Sequence, residues 1–174
     1  MRIRKVNISD AVGIAKVQVD TWKTAYKGII SDNFLQKLSY NEKTSFIKEW
    51  LKNLEKDVMI YVAEIEPPQI IGFAVSGLER TNNPIFKGEL WGIYILQKYQ
   101  RKGIGTSLVK TIVQKFLKRN IKSMIVWVLK NNPYRVFYEN LGGKLVDEKT
   151  KQFGKENHKI VAFGWDKIEN ILKK

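Results

Sequence analysis

The segment from Leu90 to Leu117 constrains this chain more than any other. Leu90-Trp-Gly-Ile-Tyr-Ile-Leu96 is an apolar run of strand length. Gln100-Arg101-Lys102-Gly103-Ile104-Gly105-Thr106 follows as a short basic turn with two glycines. Ile104, Leu108, Val109, Ile112, Val113, Phe116 and Leu117 then recur at helical spacing. A strand running through such a turn into a long helix leaves unpaired N–H groups at the helix start, where the helix dipole favours an anion. Glycine lets a phosphate approach the backbone and removes the cost of a positive φ. The segment therefore reads as a phosphate-holding device.

Charge supports that reading. The net charge is +14. From Leu90 to Glu139 ten residues are basic and the only acid is Glu139 itself. A positive field centred on the turn suits a polyanionic ligand. A solvated basic surface or a nucleic-acid face would carry the same composition. At 174 residues the chain is expected to form one domain, 1–174. It has no apolar stretch of membrane-spanning length, and its first residues read as a strand rather than a signal peptide. With no cysteine and one histidine, His158, disulfides and thiolate or multi-histidine metal sites are excluded. Cytoplasmic location, no metal and no membrane partner are the expectations.

The remaining pattern predicts a strand at 2–6, then a helix capped by Ser9 with Val12, Ala15, Val19 and Trp22 along it. A second helix carries Phe46, Ile47, Trp50, Leu51 and Leu54. Strands follow at 58–65 and 70–78. After the central helix, 124–129 reads as a buried strand. Asn132-Pro133 opens a helix that stops at Gly142-Gly143. A hairpin of 144–147 and 158–165 closes the chain. The order β-α-α-β-β-β-α-β-α-β-β implies an α+β fold with a mixed sheet.

Two phosphate-loop readings fail. A dinucleotide fingerprint needs a third glycine where Leu108 stands and an acid about 20 residues on. A P-loop needs Gly-Lys-[Ser/Thr] at its end, and Gly105-Thr106-Ser107 lacks the lysine. What remains, Gln-x-x-Gly-x-Gly between a strand and a helix, resembles the GCN5-related N-acetyltransferase superfamily. A second match is Asn131-Asn132-Pro133 followed by Phe137-Tyr138-Glu139-Asn140-Leu141-Gly142-Gly143, similar to that family's asparagine loop and the helix after it. Gly143 replaces a usual aromatic, and Gln97 a frequent proline. Thr21-Trp22-x-x-Ala25-Tyr26-x-Gly28-Ile29 looks like a bacterial subgroup acting on polyamines and other small amines.

The resemblance implies a mostly antiparallel sheet of six or seven strands with helices on both faces, and an acetyl-coenzyme A site. Its pyrophosphate would lie on the turn, here Gln100, Arg101, Lys102, Gly103, Ile104, Gly105 and Thr106. Its pantetheine would pair with the strand backbone at Ile93, Tyr94 and Ile95. Asn131 would hold the cofactor or a water. The reaction implied is direct acetyl transfer to a primary amine of a small molecule. A protein or peptide amine, or a non-catalytic binding module on the same fold, is the alternative. The intact turn and Tyr138 argue against a nucleic-acid partner. Homodimers are common in the family, so self-association stays open.

Tyr138 occupies the family's acid position; a phenol can donate to a leaving thiolate. Glu89 is the carboxylate nearest the basic block and shares strand parity with Trp91, Ile93 and Ile95. It is the candidate base, with a water chain as the alternative. Trp22, Tyr26 and Trp91 are candidate acceptor walls through cation–π contact, or ordinary core aromatics.

Overall fold

The computed structural model describes all residues from Met1 to Lys174. Strand β1 (Arg2–Lys5) leads through a 3-10 turn into helix α1 (Ala11–Ala25). Ser9 does not cap that helix. Its hydroxyl bonds the Asn7 side chain, and the Asp10 carboxylate instead accepts the Asn7 N–H at 2.8 Å. Asp10 also takes both Nη atoms of Arg4, at 2.7 and 2.8 Å, which ties the helix start to β1. A five-residue helix, α2 (Asp32–Gln36), is added to the expected order. α3 (Tyr40–Lys52) is capped by Ser39, whose Oγ accepts the Glu42 N–H.

The centre of the molecule comprises β2 (Met59–Ile65), β3 (Gln69–Leu78), β4 (Gly88–Ile95), α4 (Ile104–Lys118) and β5 (Met124–Leu129). α5 (Val136–Asn140), β6 (Lys144–Phe153) and β7 (Glu156–Trp165) complete the chain. The closing hairpin is longer than the apolar pattern predicts. Almost every residue of β6 is exposed, so no apolar alternation marks it.

All seven strands form one sheet in the order β1-β2-β3-β4-β5-β7-β6. Every pairing is antiparallel except β4 with β5. Helices lie on both faces. Against one face α4 buries Ile104, Leu108, Val109, Ile112, Val113 and Phe116, the residues of its apolar stripe. Removing a fully buried side chain such as Phe116 costs about 3–5 kcal/mol. α1 and α3 cover the other face through Ala11, Ile14, Val17 and Ile47. No helix is long and apolar enough to cross a membrane.

Two irregularities in β4 create the site. Val75 pairs with Gly92 but Ser76 with Leu90, so Trp91 is an extra residue, a β-bulge. The parallel pairing with β5 covers only Gly88–Leu90 against Met124–Val126. Beyond it both strands continue without pairing to each other, and the sheet opens between them.

Candidate active site

A cavity of about 510 Å³ fills that opening. It runs from one face of the sheet to the other. The start of α4 and α5 line it on one side, and Thr21 and Ala25 of α1, with Tyr26 just after it, on the other.

The phosphate side is built from the turn. Arg101 and Gly103 both have left-handed backbones, φ 60° and 76°. That geometry turns N–H groups toward a common point, and an L-residue at Arg101 adopts it at some cost. The Gln100 Nε2 donates to Ile95 O at 3.0 Å, which fixes the turn to the end of β4. Ser107 N–H donates back to Gly103 O, leaving the amides before it without helical partners. Gly105 sits against α5. A Cβ there would lie 3.1 Å from Phe137 and 3.3 Å from Ile95. At Gly103 a Cβ would meet open space, so only the backbone conformation demands glycine there.

The free edge of β4 follows from its pairing. Leu96 N–H donates to Ile71 O on β3. Alternation then directs the polar groups of Gly92 and Tyr94 to β3, and those of Ile93 and Ile95 into the opening. Ile93, Tyr94, Ile95, Gln100, Arg101, Gly103, Ile104, Gly105 and Thr106 all line the cavity. Lys102 does not; its Nζ lies 5.7 Å from the Tyr99 ring centroid. Asn131 is also outside the lining, and its neighbour Asn132 stands there instead. Asn132 Oδ1 accepts the Tyr134 N–H at 2.9 Å, the cap expected before Pro133.

Tyr138 lines the cavity from α5, buried between Phe137 and Phe163. Burial, and secondarily Tyr94, raises its pKa, so it stays protonated at neutral pH. Burial raises Tyr26 likewise, with smaller contributions from Tyr94 and Tyr138. Tyr26 and Trp91 line the cavity; Trp22 does not, and packs edge-on to Tyr26 with ring centroids 4.9 Å apart.

Glu89 does not stand where the expected base would act. It is 3% exposed and outside the cavity lining. Its carboxylate takes Arg80 Nη2 at 2.5 Å and Nε at 3.1 Å. The parity argument fails because of the bulge at Trp91. Leu90, Ile93 and Ile95 face α4, whereas Trp91 and Tyr94 pack toward α1 and α3. Glu89, next to Leu90, falls on the α1 side, away from Ile93 and Ile95. No Asp, Glu or His lines the cavity. His158 pairs with Glu156 near the tip of the β6–β7 hairpin and is outside the cavity lining.

Trp127 and Arg80 have no signal in the sequence that marks them as site residues, and Thr21 stands there only as part of a motif. Trp127 reads as one more apolar residue of β5, and nothing in the pattern shows where the sheet parts. Gly143 also has a structural account. A Cβ there would stand 2.6 Å from the Trp165 ring, whose Nε1 donates to Leu141 O. Trp165 fills the space an aromatic at 143 would need.

A family model described as FR47-like protein matches residues 78–152, the stretch that spans the turn and α5. The uncharacterized N-acetyltransferase YuaI of Bacillus subtilis is 34% identical over 169 residues, covering 97% of this chain and 95% of that protein. The spermidine N(1)-acetyltransferase of Thermoplasma acidophilum is 24% identical over 88% of this chain and 94% of its own length. Among solved structures, the PaiA N-acetyltransferase of Thermoplasma acidophilum in complex with coenzyme A superposes with a TM-score of 0.69 at 25% identity. It covers 92% of this chain and 96% of that one. A GCN5-related N-acetyltransferase from Rhodopseudomonas palustris shares the fold at a TM-score of 0.73 and 15% identity, over 94% and 93% of the two chains. With the parted strands, the Gly-rich turn and Tyr138 in one cavity, these likenesses establish the family: this chain belongs to the GCN5-related N-acetyltransferase superfamily and is an N-acetyltransferase.

Proposed function

We propose that the protein acetylates a primary amine of a small molecule, with acetyl-coenzyme A as donor, by direct transfer while both are bound. The observation that carries this reading is the continuity of one cavity through the sheet, from the turn to α1. It gives donor and acceptor opposite approaches to the same point. The residues present fit coenzyme A. Left-handed Arg101 and Gly103 with the α4 N-terminus provide donors and positive potential for phosphates, and the polar groups of Ile93 with the Ile95 N–H provide a strand edge for an extended amide chain. Bound acetyl-coenzyme A supplies the thioester. The chain contributes the rest.

Tyr138 holds a proton at its phenolic oxygen and delivers it to the leaving sulfur. Burial keeps that proton in place until the transfer begins. The hydroxyls of Tyr26 and Tyr94 remain neutral donors beside it. A covalent acyl-enzyme has no nucleophile here, since the chain lacks cysteine and its one histidine lies elsewhere. With no carboxylate or imidazole in the lining, the acceptor ammonium loses its proton to water in the cavity. Glu89 acts indirectly, holding Arg80 over the Trp91 ring at 4.3 Å from its centroid.

Calorimetric titration with coenzyme A and thiol release from acetyl-coenzyme A across a panel of amines test this reading. Micromolar coenzyme A binding and amine-dependent thiol release are expected. Absence of both would overturn it.

A further inference from the structure

We infer that the amine accepted by this protein carries a carbonyl or carboxylate oxygen and no second ammonium group, and is therefore of the amino-acid or amino-acid-amide class rather than a polyamine. The inference rests on the cavity being an acetyltransferase site, and concerns its α1-side half. That half is formed by Thr21, Ala25, Tyr26, Trp91, Tyr94 and Trp127.

Three observations agree. The first is charge. A polyamine keeps at least one ammonium after its reacting nitrogen is deprotonated, and burying that charge is costly without an anion beside it. No Asp or Glu lines the cavity, and its charged residues, Arg101 and Lys174, are cationic. The nearest acid along β4, Glu89, is committed to Arg80.

The second observation concerns the tryptophans. An aromatic cage holds a cation by its ring faces. Here both rings already carry one. The Arg80 guanidinium lies 4.3 Å from the Trp91 centroid, and Lys149 Nζ lies 3.7 Å from the Trp127 centroid. A further ammonium on either ring would stand close to a cation already there and be repelled by it.

The third is a demand for an oxygen. The buried Trp127 Nε1 and Thr21 Oγ1 have no hydrogen-bond partner. Thr21 is 8% exposed, and both residues line this half of the cavity. An indole N–H can only donate, so it calls for an acceptor atom. Both atoms are closed to solvent, so a ligand oxygen reaches them through a small shift of either side chain. Leaving such donors unpaired is costly, and a ligand oxygen that pairs them recovers that cost on binding.

The test measures kcat/KM with the full chain. Each uncharged amino acid is compared with its amide and with the decarboxylated amine, and with spermidine and spermine. An oxygen-bearing acceptor is expected to exceed its decarboxylated partner by about tenfold or more, and both polyamines by a larger factor. The carboxylate and amide arms separate a free amino acid from the aminoacyl end of a peptide. Trp127→Phe keeps the ring and removes the donor. It should narrow the preference for the oxygen to within about threefold while leaving coenzyme A affinity unchanged. Thr21→Val provides a second, independent loss. If coenzyme A binds but spermidine is the better substrate, or removal of the oxygen costs nothing, the inference fails and the acetyltransferase reading stands. If coenzyme A does not bind, both fall together.

Discussion

At single residues, the site separates groups that do chemistry from groups that shape it. Tyr138→Phe keeps the ring that packs on Phe163 and removes only the donor. kcat should fall about 10²–10⁴-fold with coenzyme A affinity nearly constant. A fall below about threefold with chemistry rate-limiting would remove Tyr138 from the reaction. The two glycines of the turn fail for different reasons. Gly103→Ala imposes a left-handed conformation on an L-residue, at about 1–2 kcal/mol. Gly105→Ala presses a methyl against Phe137 and Ile95. Either should raise the KM for acetyl-coenzyme A about tenfold while the circular dichroism spectrum is kept; a normal KM in a folded variant would place the phosphates elsewhere. Local geometry was legible where the pattern is local: the turn before α4, Asn132 as a cap and the helix that carries Tyr138 all form where their motifs stand. Glu89 was misplaced because strand parity assumes an unbroken pleat. One extra residue at Trp91 reverses it, and no composition signals a bulge.

At the scale of elements, β1 is tied to its neighbours by ion pairs as well as by its ladder to β2. Arg2 and Arg4 both grip Glu64 on β2, at 2.8 and 2.7 Å, and Arg4 also holds Asp10 before α1. The hydrogen bonds from Arg4 and then Arg2 depress the Glu64 pKa from 4.5 to about 2. The fold therefore favours its ionised form. The stabilisation is complete above pH 4.5 and is lost as pH falls toward 2. Melting temperatures measured between pH 7 and 2 should decline in that window. Glu64→Gln should start lower at pH 7 and decline less steeply; an unchanged acid slope would mean that Glu64 is not linked to folding. The helices and inner strands were legible because their apolar periods are strong, as in α4. The length of β6 was not, because a strand exposed on both faces has no period to read.

At the scale of the whole molecule, the cavity's ionisable side chains are tyrosines, one arginine and one lysine. Burial drives Tyr26, Tyr94 and Tyr138 upward, so none changes charge near neutrality. kcat/KM should thus rise with pH along the titration of the acceptor amine itself. Two amines of different pKa should give profiles displaced by that difference, and Glu89→Gln should preserve the shape of both. A shared inflection below neutrality would reveal a basic group of the protein. The parting of β4 from β5 has a mechanical consequence. Three residue pairs, Gly88–Leu90 against Met124–Val126, are all that join the four-stranded half of the sheet to the three-stranded half by strand pairing. The sheet is a pair of leaves on a narrow spine, and a chain lying along Ile93 and Ile95 completes the missing span. Filling the gap should stiffen the molecule as a whole: amide exchange should slow at those two residues and in the β5–β7 leaf together, so that the donor substrate serves as a removable strand of the fold.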